Sequence, residues 1–178
     1  MKKKITIYGS TGSVGKSTLD VLCCHLDKFE LVGLTINKNY KELLKQVKIH
    51  KPKVVAIKDY DAFKKFSSEN SDEDLTILSG KDSLVDILEF EVDFVMAGIV
   101  GSAGLLPVIE AAKKGIYIGL ANKESLVCSG NILKKILINN KSKILPIDSE
   151  HNAIFQVFEG SNINEIEKII LTASGGPF

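Results

Sequence analysis

The chain has 178 residues, 44% of them hydrophobic, which is enough for one full domain core and the start of a second. A net charge of +1 excludes a bulk electrostatic attraction to nucleic acid or to an anionic membrane. All 23 basic residues are lysines, so a side chain that binds an anion does so as a point charge. Three cysteines without metal-ligand spacing, and an N-terminus that leads straight into a strand pattern, predict a cytoplasmic protein with reduced thiols.

Apolar strand patterns and helical patterns alternate along the first 147 residues. Strands are predicted over residues 4–8, 30–36, 54–57, 93–97, 117–120 and 143–147. Helices are predicted over residues 13–26, 40–49, 103–114 and 123–139, with a shorter polar helix and a loop over 59–74. Because buried strands that alternate with helices form parallel sheets, the sequence predicts a Rossmann-like, doubly wound α/β fold. We expect a mostly parallel sheet with helices on both faces.

The pattern changes after residue 147, where a helix is predicted over 151–159 and a strand over 166–172. We therefore predict two domains: residues 1–147, and the beginning of an α+β domain over residues 148–178. The chain ends within the glycine-rich residues 173–178, which is an unusual place for a domain to stop. We expect a piece of a longer protein.

Three glycines, Gly9, Gly12 and Gly15, lie between the first strand and the first helix. Glycine lets a backbone turn approach a phosphate closely, and the helix N-terminus that follows presents free N–H groups to the anion. The spacing G-x-x-G-x-x-G is a variant of the dinucleotide turn, and its position after the first strand strengthens that interpretation. A glycine turn without a ligand is the plainer alternative.

A rival interpretation comes from Gly15-Lys16-Ser17, which resembles the end of a P-loop. A P-loop also requires a glycine at position 10, where this chain has Ser10. The apolar strand that ends in Asp148 resembles a Walker B segment. A nucleoside triphosphatase is therefore the second candidate.

The end of the second strand bears on the choice of cofactor. NAD-preferring folds place an acid there, on the ribose hydroxyl, whereas residues 35–39 contain none. Lys38 supplies a cation for the extra phosphate of NADP, with a solvated lysine as an equal alternative. The missing acid carries more weight than the lysine, and together they favour NADP.

Polar residues follow two later strands, at the sheet edge where such folds bind ligands. Asn122 and Glu124 open a helix, either as ligand contacts or as a plain cap and a favourable charge at the helix dipole. Asp148 and Glu150 point to one face if their segment is extended, and paired carboxylates suit Mg²⁺ or Mn²⁺. Two surface acids at a turn are an equal alternative, and His151 is not predicted as a ligand.

Five segments together resemble the N-terminal part of the 1-deoxy-D-xylulose 5-phosphate reductoisomerase family. They occur in the family's order and cover residues 9–15 (GSTGSVG), 99–107 (IVGSAGLLP), 120–127 (LANKESLV), 148–156 (DSEHNAIFQ) and 174–178 (SGGPF). The last four are far more specific than a glycine turn, and they remove the triphosphatase alternative. The resemblance implies an enzyme that uses NADPH and Mg²⁺ or Mn²⁺ to isomerise and reduce 1-deoxy-D-xylulose 5-phosphate. Its product would be 2-C-methyl-D-erythritol 4-phosphate, for isoprenoid synthesis.

The resemblance also implies roles for individual residues. Contacts to NADPH are implied for Thr11, Gly12, Ser13, Val14, Asn37, Lys38, Asn39, Asn122 and Glu124. Substrate contacts are implied for Lys123, Ser149 and Ser174, metal ligation for Asp148 and Glu150, and catalysis for Lys123, Asp148 and Glu150. Residues 1–147 then form an NADPH-binding Rossmann domain, and residues 148–178 begin the catalytic domain.

Two departures from the family pattern shape what we expect of this chain. The family usually has glycine where this chain has Asn37, a residue that tolerates left-handed backbone better than most. Family chains are also much longer, and the remainder carries a third metal carboxylate and more of the phosphate site. The resemblance implies that the full-length protein is a homodimeric enzyme, and the missing length leads us to expect the 178-residue chain to be inactive alone. An NADP-binding module without chemistry, or another NADP-dependent oxidoreductase, are the alternatives.

Overall fold

The computed structural model describes residues 1–158 and 164–172. Seven strands form one sheet: β1 (Lys3–Tyr8), β2 (Phe29–Ile36), β3 (Val54–Ile57), β4 (Thr76–Ser79), β5 (Phe94–Ala97), β6 (Tyr117–Leu120) and β7 (Ile144–Pro146). The helices are α1 (Ser13–Cys24), α2 (Tyr40–His50), α3 (Tyr60–Glu69), α4 (Ser83–Asp86), α5 (Leu105–Lys113), α6 (Lys123–Asn139) and α7 (Ser149–Val157). Short 3-10 helices cover Ile87–Glu89 and Gly101–Gly104. No helix in these ranges has the length and apolar character that a membrane crossing requires.

Neighbouring strands of the sheet are parallel, in the order β4-β3-β2-β1-β5-β6-β7. The chain moves outward from β1 to β4 on one side and then returns to the other side of β1 with β5. This reversal leaves a crevice at the carboxyl ends of β1 and β5, which is where doubly wound sheets bind ligands. The predicted α/β architecture is confirmed, and the described sheet is parallel throughout.

Two hydrophobic clusters cover the two faces of the sheet. In β3, Val54 and Ala56 belong to one cluster, whereas Val55 and Ile57 belong to the other. Successive strand residues point to opposite faces, and all four are buried, so this strand needs cover on both sides. Helices α1, α2 and α3 contribute to one cluster, and α5 and α6 contribute to the other.

Five elements differ from the sequence prediction. β4 and α4 are missing from the prediction because β4 is a four-residue edge strand that is only partly buried. The helix predicted over 103–114 starts as a 3-10 turn, with Gly101 at φ +69°, and becomes α-helical at Leu105. The helix predicted over 151–159 begins earlier, at Ser149, because the Asp148 side chain caps it. The strand predicted over 166–172 is wrong, since these residues pair with no strand in the described ranges.

Candidate functional site

A cavity of about 420 Å³ opens at the carboxyl edge of the sheet, in the crevice between β1 and β5. Its wall comes from the segments that follow β1, β2, β3, β5 and β6, together with one residue of α4. The lining residues are Gly9, Thr11, Gly12, Ser13, Val14, Ile36, Asn37, Lys58, Leu84, Gly98, Ile99, Val100, Ala103, Ala121 and Asn122. The cavity therefore forms where this topology places a ligand site.

The glycine turn after β1 is fixed to β2. The N–H groups of Gly9 and Ser10 donate to the Thr35 carbonyl at 3.1 and 3.0 Å, and that of Gly9 also reaches the Thr35 hydroxyl at 3.0 Å. Gly9 has φ +76°, and a Cβ on Gly15 would lie 2.5 Å from the Gly9 carbonyl oxygen, so both positions require glycine. No described side chain caps the N-terminus of α1 at Gly12. The first N–H groups of α1 are therefore available to an anion beside the cavity wall.

A second support for the turn comes from α2. Ser10 is fully buried, and its hydroxyl donates to Gln46 Oε1 at 2.7 Å. Gln46 Nε2 donates back to the Ser10 carbonyl at 2.9 Å, and only 5% of Gln46 is exposed. No local sequence pattern indicates this pair, because 36 residues separate its members. The residues predicted to contact the pyrophosphate, Thr11, Gly12, Ser13 and Val14, all line the wall that this pair holds in place.

Lys16, the lysine of the P-loop resemblance, is directed to α2. Its Nζ lies 2.8 Å from Glu42 Oε1, and it is not among the cavity-lining residues. The hydrogen bond from Lys16 lowers the pKa of the Glu42 carboxyl. Asp148, the acid of the Walker B resemblance, caps α7. This arrangement does not fit the triphosphatase alternative, in which both residues must face the nucleotide.

Residues 37–39, which are expected at the adenosine phosphate, occupy three different environments. Asn37 lines the cavity without a positive φ, so this position does not depend on glycine for a left-handed turn. Lys38 is exposed and lies outside the cavity lining. Asn39 caps α2 by accepting a hydrogen bond from the Glu42 N–H at 3.3 Å. The structure therefore brings one of the three directly to the cavity wall.

Sequence reasoning missed several residues of the wall. Lys58 follows β3 and lines the cavity beside the β2 end. Like Lys38, it is a cation shortly after an apolar strand. Leu84 lies in α4, which the hydrophobic pattern does not predict, and Val100 and Ala103 enter from the segment after β5.

Asn122 closes the cavity on the β6 side and is only 2% exposed. Its Nδ2 donates to the carbonyls of Ile99 and Gly101 at 2.6 and 2.9 Å. Its Oδ1 accepts from the Ser125 N–H at 3.2 Å, so Asn122 is also the cap of α6. Glu124 is exposed in the first turn of α6 and lies outside the cavity lining. The Asn122 side chain thus fixes the loop after β5, and Asn122 also forms part of the cavity wall.

Charged residues cluster where β6 and β7 end. Lys123 Nζ lies 3.6 Å from Glu150 Oε2, and both side chains are about half exposed, at 51% and 45%. Asp148 Oδ1 accepts a hydrogen bond from the His151 N–H at 3.0 Å, and the His151 ring Nδ1 lies 2.8 Å from the same oxygen. Burial raises the pKa of the Asp148 carboxyl, but the His151 hydrogen bonds and the nearby Lys123 charge outweigh it and lower that pKa.

The acid pair has a different geometry from the one predicted. Asp148 has extended backbone, but Ser149 and Glu150 form the first turn of α7, so the same-face argument from a strand does not apply. Within residues 1–158 and 164–172, no group of three or more His, Cys, Asp and Glu side chains is placed to hold a metal ion. Ser149 is exposed beside Glu150, and Ser174 lies outside the described residues. The structure brings Lys123, Asp148 and Glu150 together, and two of these three residues carry a carboxylate.

The parallel sheet, the glycine turn and the cavity at the strand reversal define a Rossmann-type α/β protein. The family model for 1-deoxy-D-xylulose 5-phosphate reductoisomerase matches residues 5–130, and the model for that enzyme's C-terminal domain matches residues 144–178. The chain belongs to the 1-deoxy-D-xylulose 5-phosphate reductoisomerase family.

Individual relatives agree with this assignment. The reductoisomerases of Caldanaerobacter subterraneus subsp. tengcongensis and Clostridium perfringens strain 13 are 48% and 46% identical, each over 99% of this chain. The chain spans 46% and 47% of those proteins, which is less than half of their length. The solved Zymomonas mobilis reductoisomerase in complex with NADPH has a TM-score of 0.86 at 36% identity, and covers 91% of this chain and 43% of its own. A reductoisomerase in complex with NADPH, fosmidomycin and magnesium has a TM-score of 0.84 at 38% identity, over 89% and 40%.

Proposed function

We propose that this chain is the NADPH-binding part, with the first catalytic residues, of an enzyme that isomerises and reduces 1-deoxy-D-xylulose 5-phosphate. The product is 2-C-methyl-D-erythritol 4-phosphate, and the reaction requires Mg²⁺ or Mn²⁺. The observation that carries the proposal is the cavity at the β1–β5 crevice, bounded by the glycine turn and by the loop that Asn122 holds. Support comes from structural neighbours described in complex with NADPH and with magnesium.

The cavity wall presents groups that suit an anionic dinucleotide. Gly12, Ser13 and Val14 place the uncapped start of α1 at the pyrophosphate, where N–H groups bind anions without a counter-charge. Thr11 adds a hydroxyl to the same wall. Residues 37–39, and Lys38 in particular, belong to the adenosine end of the bound NADPH. Asn122 and Glu124 belong to its other end, near the charged cluster after β6 and β7. The lining residues include no carboxylate, which agrees with NADPH as an anionic ligand.

The charged cluster after β6 and β7 is the start of the catalytic site. Asp148 and Glu150 have the oxygen donors that Mg²⁺ and Mn²⁺ prefer, and such an ion would polarise a bound carbonyl as a Lewis acid. In the described geometry these carboxylates are partnered by His151 and Lys123, so a metal ion would compete with both. The Lys123 ammonium and the Ser149 and Ser174 hydroxyls are the substrate contacts. Additional metal ligands have to come from outside the described residues.

The remaining features of the protein follow from its family. We infer a homodimer for the full-length enzyme and a cytoplasmic location. We place the boundary between the two domains after Ile147, because β7 is the last strand of the described sheet and the Ile147 N–H still donates to the Leu120 carbonyl at 2.9 Å.

The proposal separates binding from turnover, and this difference is its test. We expect the 178-residue chain to bind NADPH in a fluorescence titration, because the described residues form the cavity wall with the glycine turn and the start of α1. We expect no oxidation of NADPH when Mn²⁺ and the sugar phosphate are added, because the described residues bring only two carboxylates, Asp148 and Glu150, to the charged cluster after β6 and β7. Binding without turnover is also what an NADP-binding module would show, so the full-length enzyme decides the reaction. In the full-length enzyme, D148N/E150Q should abolish turnover and leave the affinity for NADPH unchanged. Unchanged turnover would instead favour the alternative that the protein is another NADP-dependent oxidoreductase.

A further inference from the structure

Lys58 lies on the cavity wall beside the end of β2. β2 and β3 are parallel, with Ile36 opposite Ile57, so Lys58 lies next to Asn37 where the two strands end. The backbone fixes this position, because the Lys58 N–H donates to the Ile36 carbonyl at 3.1 Å and the Asp59 N–H donates to the Asn37 carbonyl at 3.3 Å. The Lys58 side chain therefore starts from a rigid point beside the cavity.

Lys58 is the one charged residue among the described residues that line the cavity. Among the described residues its ammonium makes no ion pair with a carboxylate. The neighbouring acid, Asp59, faces its own helix, since its Oδ1 accepts a hydrogen bond from the Ala62 N–H at 2.9 Å at the start of α3. Lys38 is exposed and outside the lining, although it follows the adjacent strand. The positive charge of the cavity wall thus comes from the residue that follows β3.

We propose that Lys58 is a specificity-determining residue that binds the 2′-phosphate of the cofactor and so selects NADPH over NADH. This inference rests on the proposed function, and it adds a residue to the cofactor site. In such sheets a residue at the end of the second strand contacts the ribose 2′-hydroxyl, and a nearby cation accommodates the 2′-phosphate of NADP. Lys58 lies beside that strand end. A lysine there contributes a charge-assisted hydrogen bond that NADH, which lacks this phosphate, does not make.

The test compares two nucleotides on variants of the 178-residue chain. K58M keeps the aliphatic stem and removes the charge, and K58E reverses it. Loss of one charge-assisted hydrogen bond should raise the Kd for NADPH roughly ten- to one-hundred-fold, with the Kd for NADH unchanged. K58E should weaken NADPH further and leave NADH within a few-fold of the parent. K65M is the matched control, since Lys65 is exposed on α3 and outside the cavity lining, and it should change neither Kd.

Each other outcome overturns the inference. An equal loss of NADPH and NADH would make Lys58 a wall residue without selectivity. An unchanged NADPH Kd in K58M, with selectivity lost in K38M, would assign the phosphate to Lys38 alone. A parent chain that binds neither nucleotide would overturn the proposed function and this inference with it, whereas a parent that binds NADPH keeps the two questions separate.

Discussion

At the scale of single residues, the cavity wall depends on buried amides that hydrogen-bond to other segments of the protein. Gln46 exchanges two hydrogen bonds with Ser10 from a different element, and Asn122 holds the loop after β5 with two more. Buried polar groups of this kind cost free energy when a partner is lost, because the remaining group stays desolvated. Such residues position the wall of the cavity. Their substitution should therefore change the affinity for the ligand as well as the free energy of unfolding.

The Gln46–Ser10 pair gives a specific case. In Q46M, a side chain of similar length can neither accept from the Ser10 hydroxyl nor donate to its carbonyl, and both Ser10 groups stay buried. We expect the free energy of unfolding to fall by about 1–3 kcal/mol, measured by urea denaturation. NADPH should bind more weakly than to the parent, whereas 2′-AMP, which lacks the pyrophosphate, should bind equally well.

K45M is the control for this variant, because Lys45 precedes Gln46 on α2 and its side chain is 74% exposed. It should leave both measurements close to those of the parent. A Q46M protein that loses stability but binds NADPH and 2′-AMP as the parent does would show that Gln46 supports α2 and not the turn.

Of the predicted cofactor contacts, those of the glycine turn agree best with the cavity, whereas Lys38, Asn39 and Glu124 lie outside its lining. Thr11, Gly12, Ser13 and Val14 all line the cavity, because a glycine turn after the first strand fixes its own geometry. Gln46 has no such local signature, and its role depends on how α2 packs against the turn after β1. Lys58 was also missed, because β3 and β2 have to be placed side by side before its nearness to Asn37 becomes apparent.

At the scale of elements, the close approach of α1 to the turn after β1 is the most demanding contact. In G15A the new Cβ would lie 2.5 Å from the Gly9 carbonyl oxygen and from the Ser10 Cα, so α1 has to move. We expect a loss of about 1–3 kcal/mol in the free energy of unfolding, as in other overpacked sites. The shift of the α1 N-terminus should also weaken NADPH binding in a fluorescence titration.

Gly130 is the matched control for this helix glycine. It lies within α6, and a Cβ there would meet no described atom within 4 Å. G130A should therefore stabilise the protein by about 0.5–1 kcal/mol through its higher helix propensity, with NADPH binding unchanged. Equal effects of G15A and G130A would contradict the close packing of α1 on the turn.

The elements that the sequence predicted best are strands from the interior of the sheet, which are buried throughout in β3 and buried except for Tyr117 in β6. β3 and β6 were predicted with the bounds that the structure has, because buried strands of a parallel sheet are short apolar runs. β4 lies at the sheet edge and is partly exposed, so its hydrophobic signal is weaker. The opposite error occurred over 166–172, where an apolar run was predicted as a strand and the structure has none. An apolar run forms a strand only when a partner strand lies beside it.

At the scale of the whole molecule, the site is assembled from the carboxyl ends of neighbouring parallel strands. The order β3-β2-β1-β5-β6-β7 places Lys58, the glycine turn, the loop after β5 and the Lys123–Glu150 pair along one edge in succession. A dinucleotide bound along this edge would extend from the ends of β2 and β3 toward the charged cluster after β6 and β7. The nicotinamide would then approach the cluster that β6 and β7 present.

This arrangement predicts that NADPH stabilises the folded chain while a metal ion alone does not. A ligand at one hundred times its Kd adds about 2.7 kcal/mol to the free energy of unfolding. For a chain of this size that corresponds to a rise in Tm of roughly 5–11 °C, measured by thermal unfolding with and without NADPH. Mn²⁺ alone should shift Tm much less, because His151 and Lys123 already partner the two carboxylates and the described residues supply no third ligand. A Tm that rises with Mn²⁺ and not with NADPH would place the main ligand site at the charged cluster and would contradict the assignment of the cavity.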